Sequence, residues 1–157
     1  MKEYYNITEK LRSQLQGQTG INSVTLGDIN SVDLNVQTIF PLAHVIVNSS
    51  TISRNVMSFN ISVIFADLVD VSMKETKDQP DDDVYWGQDN LQDVYNKTLA
   101  EANILSQQMI RGGLFDDYFQ VSETITAEPF EDRFKNLLAG WTITFDVETP
   151  NVETCVS

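Results

Sequence analysis

The apolar residues of this chain change their spacing along its length, and each spacing predicts an element. Tyr4, Ile7, Leu11 and Leu15 recur every three or four residues, the period of one helix face, and Gly17 and Gly20 follow as stop signals. A helix this short is not stable alone, so it is expected to lie on a sheet through that stripe, with Glu9 and Lys10 outward. Over residues 21–40 the alternation is weaker: Val24 and Leu26, then Val32, Leu34 and Val36, with Asn, Asp and Gly between. These predict one or two short strands joined by turns. Pro41 can begin a strand but not occupy the middle of a central one, so Leu42, Val45, Ile46 and Val47 predict a strand that opens after it. Asn48, Ser49, Ser50 and Thr51 read as a polar connection. From Met57 the alternation is strict: Met57, Phe59, Ile61, Val63 and Phe65 predict a buried face, and Ser58, Asn60 and Ser62 an open one. Ile64, Ala66 and Leu68 make the far end apolar on both faces, so a helix or a second subunit is expected to cover it.

The second half repeats the change of period. Asp89 and Gln92 fit a capping box that opens a long helix. Its stripe is Leu91, Val94, Tyr95, Leu99, Ala102, Leu105 and Met109, and Gly112 with Gly113 closes it behind Arg111. Residues 121–130 then alternate through Ile125 and Ala127, and Trp141, Ile143, Phe145 and Val147 oppose Thr142, Thr144, Asp146 and Glu148. The two runs suit an antiparallel pair. Residues 131–138 are more than a tight hairpin needs, so the pair is expected to extend into a ribbon with a long tip. Pro150 ends the last strand, and residues 151–157 form a polar tail expected to be mobile unless a partner binds it. A length of 157 residues fits a single domain spanning 1–157.

Charge narrows the classes of partner. Twenty-three acidic residues against ten basic ones give a formal charge of −13, which repels nucleic-acid phosphates and keeps copies apart unless apolar or paired contacts intervene. Residues 67–93 concentrate nine of the acids, with only Lys74 and Lys77 opposing them, and include the run Asp81, Asp82, Asp83. Such a run reads as a solvated loop. Val84, Tyr85 and Trp86 follow it as candidate anchors of that loop to its own domain or to a neighbour, since aromatics dominate packing and interface energy. The N-terminal residues have no apolar signal-peptide core and a single Cys155 cannot form an intrachain disulfide, so a cytoplasmic origin is expected. The sequon patterns at Asn6, Asn48, Asn60 and Asn96 are then compositional accidents.

Reactive chemistry has few carriers. His44 is the only histidine and sits in an apolar run, which suits a packed, hydrogen-bonded ring better than a general base. Cys155 has no basic neighbour to lower its pKa. Asp67 with Asp70, or Asp81 with Asp83, supplies the oxygen ligands that Mg²⁺ or Ca²⁺ takes, but the spacing lacks the ligand pattern of an EF-hand loop. No glycine-rich phosphate loop and no dinucleotide fingerprint is present. No cofactor and no catalytic set is therefore assigned. The competing enzyme reading is a small metal-dependent hydrolase using Asp67, Asp70, Asp81 and Asp83.

The order is helix, strand after a proline, alternating strand, acidic loop, long helix and a closing strand pair. With Phe40, Pro41, Leu42 before the first strong strand and Gly140, Trp141, Thr142, Ile143, Thr144, Phe145 in the last, the chain resembles the tail terminator and tail-completion (neck) proteins of tailed bacteriophages. The resemblance spans residues 4–150. It implies an α+β domain, a mostly antiparallel β-sheet with two helices packed on one face, here with a long acidic loop and an extended hairpin. It also implies a structural virion protein and not an enzyme: a homo-oligomer, a hexameric ring that caps the tail tube protein and docks the head-tail connector or adaptor. Such a ring is assembled in the host cytoplasm and resides in the virion tail or neck, lets DNA pass without specific binding, and needs no membrane. Val84, Tyr85 and Trp86 are then the interface candidates. Asp81, Asp82 and Asp83 are the lumen-facing or partner-facing candidates. Another neck or head-completion ring is the neighbouring alternative.

Overall fold

A computed structural model of the protein describes residues 2–27, 40–69, 91–111, 113–115, 119–132 and 138–151. Among these residues two helices and six strands follow one another as α1 (Glu3–Gln16), β1 (Ser23–Leu26), β2 (Leu42–Ile52), β3 (Val56–Leu68), α2 (Leu91–Ile110), β4 (Gln120–Val121), β5 (Thr126–Asp132) and β6 (Leu138–Pro150). The strands make one sheet in the order β1, β2, β3, β6, β4, with β5 also paired to β6. Among the described strands the β1–β2 pair is parallel and the other pairs are antiparallel. The fold is therefore α+β, a mostly antiparallel sheet with both helices packed on it, as the resemblance implies.

The odd-numbered face of β3 sets the core. Met57, Phe59, Ile61, Val63 and Phe65 are all buried there, and the ladder puts Ala43 and Val45 of β2 and Ile143, Phe145 and Val147 of β6 beside them. Ile7, Leu11 and Leu15 of α1 and Ala102, Leu105 and Met109 of α2 close this layer from one side. Burying such a stripe is what makes a 14-residue helix stable here, since its own backbone bonds would leave it marginal.

Three details depart from the pattern read along the chain. Residues 48–51 are not a connection: β2 continues to Ile52, paired with β3 as far as Ile52 opposite Met57, across an irregularity between Val47 and Ser49. Pairing to β3 outweighs the turn preference of Asn and Ser, because the ladder supplies the backbone bonds a loop would have to find in water. The buried stripe of α2 runs through Thr98 and Ser106, whereas Leu99 is 39% exposed. Their hydroxyls donate to the carbonyls of Val94 (2.7 Å) and Ala102 (2.8 Å) one turn back, so each is buried without an unmet donor. At the far end, Phe40, Leu42, Ala66 and Leu138 are buried together on the face away from the helices. Among the described residues their cover comes from Phe40, entering β2 through a cis Phe40–Pro41 peptide, and from Phe130 of β5.

The expected strand around Val32, Leu34 and Val36, the capping residue Asp89 and the tail beyond Asn151 lie outside the described residues. The ribbon of β5 and β6 stays paired to Asp132 opposite Leu138.

Candidate functional surfaces

His44 answers first, because it is the only histidine. It is fully buried on β2, where Nε2 lies 2.7 Å from the Gly27 carbonyl and Nδ1 lies 2.5 Å from the Thr25 hydroxyl. A carbonyl only accepts, so Nε2 carries a proton toward Gly27, while Nδ1 pairs with the Thr25 hydroxyl. Both ring nitrogens are used in fastening β1 and its following turn to β2. Gly27 turns the chain there at φ +105°, a conformation that favours glycine.

The face of the sheet turned away from the helices carries a side-chain lattice. Asn48 donates to Asn60 (2.9 Å) and Ser62 (2.8 Å), Asn60 donates to Asp146 (3.0 Å), and Ser62 meets Thr144 at 3.0 Å. By register Glu148 and Glu128 share this face. The lattice satisfies its own donors and acceptors and stiffens three strands.

At one end of β2 and β3 the chain turns through residues 53–55. Ser53 brackets Val56, donating from Oγ to its carbonyl (2.6 Å) and accepting from its N–H (3.1 Å), while the Ser53 N–H donates to the same carbonyl at 2.9 Å. Asn151, just past β6, adds two bonds: its N–H donates to Asn55 O and its Nδ2 to Ser53 O, both at 2.9 Å. This braced tip exposes 71% of Ile52 and 40% of Val56 on either side of exposed Arg54. Its signal in the sequence was Ile52 and Val56 flanking a three-residue polar turn, which a reading of residues 48–51 as the connection passes over.

At the other end of the same strands lies a cavity of about 230 Å³. Ile21, Leu42 and Phe65 make its apolar wall, and Asp67, Lys97 and Glu101 its polar side. Gln18, just after α1, donates to the Glu101 carboxylate (2.6 Å) and to its backbone carbonyl (3.1 Å), tying the two helices together at the rim. Partial burial pushes the Asp67 carboxyl above the usual aspartate range, although the Leu68 N–H at 2.8 Å and the charge of Lys97 pull it down. A second cavity, about 300 Å³, runs between α2 and β5 and is lined by Leu99, Ile110, Ile125 and Ala127 among others.

Of the residues singled out from sequence, Asp67 and His44 fall in described positions and do not meet: Asp67 lines the cavity under α2, and His44 packs on the opposite face of the sheet. Asp70, Asp81, Asp82, Asp83, Val84, Tyr85, Trp86 and Cys155 lie outside the described residues. Among the described residues no three His, Cys, Asp or Glu side chains gather where they could hold a metal ion, and no helix is long and apolar enough to cross a membrane. No protein-family model matches the chain, and no curated protein matches it.

Proposed function

We propose that this protein is a structural ring subunit of a tailed-bacteriophage particle, a tail terminator that closes the tail tube and offers the surface on which the head connector docks. The observation that carries the reading is the fold: two helices packed on a mostly antiparallel sheet, with the strand after the proline, the alternating strand, the long helix and the closing strand pair in the order that carries the resemblance, and with β1 and β4 added to it. In this reading function is geometry and electrostatics. A repeated contact between two different surfaces of the same chain closes into a ring, and rotational closure stops growth. A charge of −13 on every copy keeps DNA phosphates from adhering to the passage.

Native mass spectrometry and negative-stain electron microscopy of the purified protein, alone and with tail tubes, test it. The expected result is a closed ring, hexameric in this reading, at one end of the tube. A strict monomer that never joins a tube end overturns the proposal, and a ring found on the connector instead assigns the protein to another station of the neck.

A further inference from the structure

We infer that the β2–β3 tip of one copy of this chain docks in the Asp67 cavity of a second copy, with Arg54 facing the Asp67 carboxylate and Ile52 and Val56 covering the apolar rim. The inference rests on the ring reading and deepens it by naming the seam.

Four features point the same way. First, the tip holds two exposed aliphatic side chains, Ile52 on the same face as its partner Met57 and Val56 on the opposite face, so a tip entering a cleft presents one to each side of it. Second, the tip is held in one shape by the Ser53 and Asn151 hydrogen bonds, so little conformational freedom is lost on docking. Third, the cavity suits a side chain rather than a small molecule, since about 230 Å³ falls below the roughly 300–1,000 Å³ of ligand pockets. Its apolar wall accepts the aliphatic stem of an arginine, and its polar side offers two carboxylates against the single ammonium of Lys97. Fourth, among the described residues Arg54 has no ion pair or hydrogen bond, and Asp67 accepts only from the Leu68 N–H.

Position makes the contact intermolecular. Tip and cavity lie at opposite ends of the 13-residue strand β3, a separation of about 40 Å at the rise of an extended chain, so the tip of a copy cannot reach that copy's own cavity. A surface that differs from the one it binds gives head-to-tail association, the kind that generates rings.

Charge reversal tests the pairing. Sedimentation of the full chain is compared for wild type, Arg54→Glu, Asp67→Arg and the double variant, with Asp67→Asn as the milder change and a thermal melt for each. Each single reversal is expected to weaken self-association about tenfold or more, and the double variant to regain it. Asp67→Asn is expected to weaken association while melting no lower than wild type, which keeps the test decisive where Asp67→Arg does not fold. Association of Arg54→Glu or of Asp67→Asn at the wild-type level overturns the docking, as does a folded double variant that fails to recover. Rings that form normally with Arg54→Glu overturn the docking alone, whereas a wild type that stays monomeric with and without tubes removes the ring reading and the docking with it.

Discussion

Two glycines show how far the consequence of one methyl group depends on what faces it. Gly140 of β6 sits opposite Ala66, and a Cβ there would overlap the Phe65 carbonyl oxygen, a backbone atom that cannot swing aside. Gly140→Ala is expected to lower unfolding stability by about 1–3 kcal/mol or more, in the range of overpacked cores, as read by urea denaturation. Gly17 has ordinary right-handed helical angles, and an added Cβ there meets only the Ser13 and Gln14 carbonyls at 3.5 Å. Gly17→Ala is expected to be neutral or to stabilise by about 0.4–1 kcal/mol, by restricting the unfolded chain. Asp67 gives a pH dependence of definite sign. Burial raises its pKa in the fold, so between the unfolded and folded values the native state binds more protons, and stability falls as pH rises through that window. Asp67→Asn keeps an oxygen for the Leu68 N–H but no charge. Measured at a dilution that keeps the protein monomeric, its melting temperature is expected to exceed wild type at pH 7, with the difference closing below about pH 4, where the unfolded aspartate is also protonated. A variant that melts lower than wild type at pH 7 would mean that Lys97 and the Leu68 amide outweigh desolvation.

At the scale of elements, what was legible in the sequence was whatever a single period could express. Met57, Phe59, Ile61, Val63 and Phe65 alternate without interruption, and all are buried; Ile7, Leu11 and Leu15 keep helical spacing and are buried as well, whereas Tyr4, at the start of the same stripe, is about half exposed. The misreadings arise where a polar residue takes a position that the pattern reserves for an apolar one. Thr98 and Ser106 enter the α2 stripe because a helix offers each hydroxyl a carbonyl four residues back, and residues 48–51 stay in β2 because β3 lies alongside to pair them. Neither partner is visible in a local window. The braced tip was missed for the same reason: its brace, Asn151, comes from 98 residues away from the Ser53 carbonyl it binds. Asn151→Ala removes the Nδ2 bond but keeps the backbone one to Asn55, so it is expected to cost about 0.5–1.5 kcal/mol and to speed amide exchange at Ser53 and Val56 while leaving β6 exchange near wild type. Uniform acceleration across β3 and β6 would show instead that the tip is not a separate opening unit.

For the whole molecule, the acid excess opposes every contact between copies, so association has to come from apolar burial and from the few cations placed to meet carboxylates. With −13 on each chain, repulsion acts over the Debye length, about 10 Å at 0.1 M salt and 3 Å at 1 M. An arginine set in a partly buried cavity is screened less than the carboxylates spread over the surface, such as Asp146 on the open sheet face. Raising sodium chloride from about 0.05 M to about 0.5 M should therefore remove more repulsion than attraction and strengthen self-association, as followed by sedimentation at fixed protein concentration. Sulfate at the same ionic strength should strengthen it further, because excluded anions favour burial of the Ile52 and Val56 side chains. A steady loss of association as salt rises would reverse the balance: charge attraction across the seam would then be the main force between copies.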